Sequence, residues 1–407
     1  MSLRISNTVR AVLRLTLASI GEWPSRPIDT LVTVLGFATV TAILAAVLAM
    51  AAGYRHVFEV AAQRTTAIVL SEDSDSEWGS RVPTGALADI TQAPGVALAR
   101  GAPLIAPDLL GSLRVRYRQR KLAARITLRG VASEMPAIEK GVRIVRGRWF
   151  RPGVDEIVVG SAVERNFRGL APGDRVLAEG RIWTIVGVFS AGSQVFSSEA
   201  WTSLGSLQTA EKRRGAYSSL YVELKSPAAY HRFARVLAGD AQYALKPMRA
   251  SAYYAGQASG MSRLITRVGG FFTAMMAAAA VFGAMSTLLV MVESRRFEVA
   301  MLRALGYPHG IVFASTLLEG LLLGAAGGLA GAAAAYVSLN GYAASTLGIG
   351  SQMAVSMTTP QVFFHFRVSG MIVLEAVLWA IGMGLLGGLY PAVRAARTPI
   401  AAALRDA

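Results

Sequence analysis

The chain has 407 residues and no cysteine, with 41 lysines and arginines against 25 aspartates and glutamates, a formal net charge of +16 at pH 7. With 53% hydrophobic residues and 16% charged ones, the composition fits a polytopic membrane protein carrying one soluble domain. The lack of cysteine excludes disulfides, thiolate chemistry and cysteine-ligated metal, and His56, His231, His309 and His365 are too scattered to form a metal cluster or a histidine triad.

Residues 1–27 read as a cytoplasmic amphipathic helix lying along the membrane surface. Ile5, Val9, Val12, Leu13, Leu17 and Ile20 recur at helical spacing, and Arg4, Asn7, Arg10 and Arg14 fall on the other face. Pro24 and Pro27 end it. Residues 28–53 follow as a first apolar run, longer than the roughly 20 residues a helix needs to cross a bilayer. It is too long and lies too far into the chain for a cleaved signal peptide.

Residues 54–267 form a large polar segment, expected as a mixed α/β extracytoplasmic domain with helical stalks at 54–66 and 251–267. Its strand candidates are Ile126–Val131, Ile157–Val159, Arg181–Phe189 and Leu220–Leu224, rich in β-branched and aromatic residues. The run from Asp174 to Phe189, turning at Glu179-Gly180, predicts a hairpin, and Ser161–Phe167 and Pro227–Leu237 predict helices. Arg114, Arg116, Arg118 and Arg120 alternate with other residues, which places them on one face of a strand and suggests a solvated, aggregation-resistant edge. Asp73, Asp75 and Glu77 mimic a calcium loop, but Gly79 is displaced and Thr84 stands where a bidentate glutamate is required, so an acidic surface loop is expected. The segment carries 30 lysines and arginines against 18 acids, a balance suited to anionic headgroups or an acidic partner. No nucleic-acid-binding motif accompanies it.

Three further apolar runs follow, at 268–292, 311–339 and 370–393, separated by 293–310 and by a short loop at 340–369 and followed by a tail at 394–407. The layout is one span, a large domain, then three spans. Arginines gather before the first span (Arg4, Arg10, Arg14, Arg26), after the second (Arg295, Arg296, Arg303) and after the fourth (Arg394, Arg397, Arg405), which predicts cytoplasmic termini and an outward-facing large domain. Long domains cross largely regardless of charge. Gly320, Gly324 and Gly328, Gly327 and Gly331, and Gly384 and Gly388 repeat at four-residue spacing, which permits close helix packing within one subunit. Glu319 and Glu375 lie within apolar runs and are read as structural hydrogen-bonding groups.

Between the second and third spans, ESRRFEVAMLRALGYP reads as a short amphipathic helix, with Phe297, Met301 and Leu305 four apart, Gly306 as cap and Pro308 as stop. This run and the glycine-rich span after it resemble the signature of FtsX-like and MacB-like (type VII) permeases of ATP-binding-cassette systems. LYPAVRAARTPIAAALR at 389–405, with Tyr390, Pro391, Arg394 and Arg397, resembles that family's C-terminal motif, and RGRWFRPGVDEIVVGSAVERNFRGLAPGDRVLAEGRIWTIVGVF at 146–189 resembles the MacB-like periplasmic core domain. The resemblance implies a four-helix (1+3) α-helical membrane protein with a mixed α/β periplasmic domain, placed in the bacterial inner membrane.

It further implies a permease that dimerises through its first two spans with an identical or paralogous second permease, and that sits on a dimer of cytoplasmic ATPase subunits. Arg296, Phe297, Glu298, Met301, Leu302, Arg303, Leu305 and Gly306 become the ATPase-coupling candidates. None of the five lysines, Lys121, Lys140, Lys212, Lys225 and Lys246, follows a glycine, so the sequence holds no G-K-[ST] phosphate loop. ATP and Mg are therefore expected on a separate ATPase, with no catalytic residue, cofactor or metal on this chain. The implied activity is mechanotransmission: ATP-driven motion passed to the outer domain for export or efflux of a periplasmic or outer-leaflet substrate. A periplasmic adaptor, an outer-membrane channel and membrane lipid are candidate partners, and nucleic acid is not. The alternatives are a LolC-like or LolE-like lipoprotein extractor and an FtsX-like regulator of a cell-wall hydrolase.

Overall fold

The computed structural model describes the chain except residues 1–9, 11, 13, 18, 20, 22, 26, 62, 119–122, 240–241, 305–306, 346–361 and 398–407, and except the side chains of Ser25, Leu302, Ala343 and Ser345. Four helices are long and apolar enough to cross a membrane: Pro27–Ala61, Ala250–Ser294, His309–Leu339 and Gly370–Ala396. The second includes the continuation expected at 251–267; the first continues only to Ala61, short of the expected 54–66, since Gln63 to Thr65 are not helical and Thr66 opens a strand. Most of the proposed leader helix lies outside the described residues; Arg10, Val12, Arg14 to Leu17, Ser19 and Gly21 are helical.

The chain divides into two compact units, one of residues 1–52, 263–342 and 366–407 and one of residues 53–262 and 343–365. Within the first, hydroxyl side chains bond back to their own helix rather than remaining unpaired among apolar groups: Thr33 donates to the Asp29 carbonyl (3.0 Å), Thr41 to Phe37 (2.8 Å) and Thr273 to Gly269 (2.7 Å). Glycines set the helix spacing. A Cβ on Gly320 would lie 2.6 Å from the Gly384 carbonyl oxygen, and one on Gly324 2.5 Å from that of Ala380. The third and fourth long helices thus touch backbone to backbone. Gly327 and Gly331 instead face the first helix, where added Cβ atoms would meet Phe37 and Ala38. The glycine repeats therefore pack helices within one subunit.

The second unit is mixed α/β. Among the described residues an eleven-stranded sheet runs in the order Arg175–Ala178, Arg181–Ser190, Glu156–Gly160, Ala200–Ser203, Ala123–Val131, Ile105–Tyr117, Ser219–Glu223, Thr66–Ser71 and Leu245–Arg249, with Arg143–Gly147 beside Arg181–Ser190 and Phe167–Arg168 beside Ile105–Tyr117. The predicted hairpin is present, with Arg175 opposite Thr184 and Ala178 opposite Arg181. The registers place the apolar residues of these strands on one face of the sheet, where two cores form. One contains Leu113, Ile126, Leu128, Phe167 and Trp183; the other contains Val69, Ile90, Leu220, Val222 and Phe233.

Two expectations change. Arg116 does not lie on a sheet edge, because it pairs with Ala123 on one side and Arg168 on the other; Arg114 has a partner, Arg125, on one side only, and Arg118 lies beyond the end of the strand. Arg120 lies outside the described residues. The connection between the third and fourth long helices also joins the α/β unit. Ala343–Ser345 pairs with Phe363–His365, Phe363 N–H donates to Ser198 Oγ (3.2 Å), and the rings of Phe363 and Phe364 pack on Phe167 and Tyr54 with centroids 5.8 Å apart in each case.

Candidate functional site

The segment expected to face an ATPase is a nine-residue helix, Arg296–Ala304. Its Ala300 is buried, while Phe297 and Met301, one turn apart, stay 48% and 46% exposed. Two large apolar side chains thus stand uncovered on one side of a short helix, unlike a core face. Glu298 beside them is exposed and Arg303 is half-buried. Leu305 and Gly306 fall outside the described residues, and of Leu302 only its helical backbone is described.

Polar contacts tie this helix to the C-terminal motif. Glu293 lies 3.3 Å from the Arg296 guanidinium and 3.8 Å from that of Arg394. Arg303 Nη2 stands 3.2 Å from His309 Nε2, and His309 Nδ1 donates to the Ala396 carbonyl (2.6 Å). Exposed pairs of this kind contribute about 0–1 kcal/mol each, so their effect is to fix geometry more than to add stability. Pro391 is buried inside the fourth long helix, Arg397 caps that helix, and Tyr390 is 54% exposed. The structure thus brings Arg296 and Arg394 to one carboxylate, Glu293, and Arg303 to His309.

Three members of this constellation, Glu293, His309 and Arg295, were not among the coupling candidates read from sequence. Arg295 donates to Ser19 Oγ (2.5 Å) and anchors the segment before the first long helix. A cavity of about 90 Å³ behind the helix is lined by Ser19, Arg295, Glu298, Thr316 and Glu319 among others. The buried Glu319 accepts from Trp23 Nε1 (3.4 Å), the structural bond expected of it. Glu375 is exposed on the fourth long helix, and no hydrogen bond to it is described.

The α/β unit holds a second polar centre that sequence reading missed. Glu77, expected on an acidic surface loop, is buried, although Asp73 and Asp75 are exposed as expected. It meets Arg129, whose guanidinium is 2% exposed. Arg129 Nε and Nη2 bind Glu199 as a fork (both 2.8 Å), and Nη1 donates to Glu77 Oε1 (2.9 Å) and to Asp108 Oδ2. Phe196 and Tyr221 flank the guanidinium, with ring centroids 5.3 and 5.8 Å from Cζ.

One cation facing three carboxylates leaves an excess of negative charge that burial does not tolerate. The hydrogen-bond inventory shows where a proton resolves it. Ser219 Oγ lies 2.8 Å from Glu77 Oε1 and 2.6 Å from Asp108 Oδ1, yet a hydroxyl carries one proton. A protonated Asp108 donating to Ser219 satisfies both contacts. Burial pushes the Asp108 carboxyl up to about 7 against the pull of Arg129, with Glu77 adding to the rise. Burial also raises Glu199, whereas for Glu77 the attraction of Arg129 and hydrogen bonds from Arg129, Ser219 and Tyr221 outweigh burial and hold it below the usual range. Nearby, burial raises Glu139 to about 7 although Gln63 donates to it (2.9 Å).

Neither centre assembles a nucleophile with a base and an oxyanion site. Among the described residues no group of three or more histidine, aspartate or glutamate side chains is placed to hold a metal ion.

The family of MacB-like periplasmic core domains matches residues 30–238, and the FtsX-like permease C-terminal family matches residues 270–400. No curated protein matches the chain. Among solved structures it is similar to the extracellular domain of the noncanonic ABC-type transporter YknZ from Gram-positive bacteria (21% identity, TM-score 0.34, covering 45% of this chain and 99% of that one). It is also similar to the periplasmic region of MacB from Actinobacillus actinomycetemcomitans (13% identity, TM-score 0.35, 46% and 90%). A third is a domain of a putative permease protein from Porphyromonas gingivalis (13% identity, TM-score 0.29, 45% and 85%).

Proposed function

Because this chain belongs to the family of ATP-binding-cassette permeases that join a MacB-like periplasmic core domain to an FtsX-like permease region, we propose that it is the membrane subunit of an ATP-driven export machine. ATP and Mg bind to an ATPase dimer supplied outside these 407 residues, and a second permease, identical or paralogous, completes the complex. The machine sits in the bacterial inner membrane with both termini cytoplasmic, and its α/β domain acts on a periplasmic or outer-leaflet substrate. A periplasmic adaptor and an outer-membrane channel complete the export route.

The observation that carries this reading is the exposed pair Phe297 and Met301 on a helix that Glu293 and His309 link to the C-terminal motif. An apolar knob on a short, braced helix suits a cleft on a motor protein. When ATP draws two ATPases together, a helix seated on each is carried with them. The second long helix, unbroken from Ala250 to Ser294 and ending beside the knob, is suited to transmit that displacement.

The test is copurification and ATP turnover of the full chain with its cognate ATPase. Met301→Asp with Phe297→Asp should abolish copurification, while Leu378→Asn, on an exposed position of the fourth long helix, should retain it. Copurification unaffected by the double substitution would show that the knob is not the motor seat.

A further inference from the structure

The strands Ile105–Tyr117, Ala123–Val131 and Phe167–Arg168 place like charges directly opposite one another. Arg114 faces Arg125, and Arg116 faces Arg168. Partners in register share a sheet face, so the four arginines form a staggered row over three strands, Arg125–Arg114–Arg116–Arg168, in which successive Cβ atoms lie about 5 Å apart across strands and about 7 Å apart along the central one. The other face of these strands is core: Leu113, Val115, Ile126 and Phe167 are buried there. All four arginines are exposed, and among the described residues none forms an ion pair. Glu179, which accepts from Ser112 N–H (3.1 Å) and Ser112 Oγ (3.0 Å), is engaged there.

Directly opposed like charges destabilise a sheet, by roughly 0.2–1 kcal/mol per pair. Arg116 is paired on both sides, and protection of an open edge calls for single charges rather than for like charges set directly opposite one another. An arrangement that opposes folding and has no structural duty belongs to a binding surface.

We propose that Arg114, Arg116, Arg125 and Arg168 form a docking site for the phosphate headgroup of an anionic lipid. Guanidinium planes match phosphate oxygens in bidentate fashion, which lysines do not. Charge density separates the candidate anions. Four neighbouring cations on one stretch of sheet face call for several negative charges in a small area, and a phosphomonoester or diphosphate concentrates two or more where a side-chain carboxylate brings one. A chain with four membrane-length helices has lipid as its permanent neighbour, so lipid phosphate is the source at highest local concentration. The site needs neither the motor seat nor the export reading.

The test uses the full chain in a neutral detergent and measures binding of dioctanoyl phosphatidic acid, inorganic pyrophosphate and polyglutamate. Phosphatidic acid should bind with an affinity that falls as salt rises. R114Q/R125Q and R116Q/R168Q should each weaken it at least fivefold and the quadruple variant at least thirtyfold, whereas R232Q/R235Q, at exposed arginines of another element, should leave it unchanged. Because repulsion is relieved, the quadruple variant should unfold at the wild-type temperature or above; a lower midpoint would overturn the premise of opposed charges. Patch-dependent binding of pyrophosphate as tight as that of phosphatidic acid would point to a soluble phosphate, and tighter patch-dependent binding of polyglutamate to an acidic protein. Either result, or a quadruple variant within twofold of wild type, overturns the lipid site.

Discussion

Replacing Arg129 with methionine removes the one cation from a buried centre of three carboxylates while keeping a side chain of comparable length. Breaking a buried ion pair by deleting one partner costs about 3–5 kcal/mol, because the remaining charge is left uncompensated. Here Glu77, Asp108 and Glu199 all lose their guanidinium contacts. For a unit of this size each kcal/mol lowers the midpoint by roughly 2–4 °C, so R129M should melt about 6–20 °C below wild type at pH 8. Tryptophan fluorescence of the full chain in detergent reports it, since Trp201 Nε1 donates to Glu199 (3.0 Å). The deficit also has a pH signature. Without the cation every one of these carboxyls binds a proton more readily when folded than when unfolded. Stability gained from protonation is then present at low pH and lost as pH rises, so the gap to wild type should narrow at pH 5. A melting point within 2 °C of wild type at pH 8, or a gap of equal size at both pH values, would refute the reasoning.

Glu139 titrates near 7 when folded against an ordinary value of 4.5, so its contribution to stability is complete below about 4.5 and lost as pH rises through 7; E139Q should melt with wild type at pH 5 and a few degrees above it at pH 8. A Cβ on Gly384 would overlap the Gly320 carbonyl, whereas one on Gly382 meets no atom within 4 Å. G384V should therefore lose folded material on size-exclusion chromatography, through a strain of about 1–3 kcal/mol or more, and G382V should not. A Cβ on Gly53 would overlap the His365 carbonyl, so G53A should speed hydrogen exchange at Phe363 to His365 while leaving exchange in the central strands unchanged.

What sequence reading captured follows from locality. The four long helices were legible because apolar runs of membrane length have few alternatives, and the hairpin from Arg175 to Ser190 because Glu179 and Gly180 both adopt positive φ, 46° and 72°, at its turn. The helix Arg296–Ala304 was legible from its spacing, but its bracing was not, since His309 reaches the Ala396 carbonyl far along the chain. Glu77 was misplaced because its neighbours Asp73 and Asp75 are exposed, and its partners Arg129, Ser219 and Tyr221 are distant in sequence. The strand Ile105–Tyr117 was seen only in its arginine-bearing half. Pro107 and Gly111 mask the rest, and Pro107 is accommodated in a strand with partners on both sides. Phe363–His365 carries no strand signal of its own, because its partner lies beyond a long intervening segment.

The transmission reading makes a demand on the second long helix that its glycines sharpen. Gly269 has a packing reason: a Cβ there would lie 2.6 Å from both Val47 methyls. Gly256, Gly260 and Gly270 have none, for added Cβ atoms would meet no atom within 4 Å, although each glycine in a helix interior costs about 1 kcal/mol relative to alanine. Glycines that lower helix stability without permitting closer packing leave the helix free to bend where they cluster. The triple variant G256A/G260A/G270A should therefore raise thermal stability, by up to about 3 kcal/mol if the sites add. It should also slow substrate-stimulated ATP turnover in the complex with the ATPase while leaving complex assembly intact. Higher stability with unchanged turnover would mean that bending plays no part in the cycle. Lower stability, or loss of the permease pair, would mean that a second permease packs against these glycines, and the hinge assignment would give way to an interface.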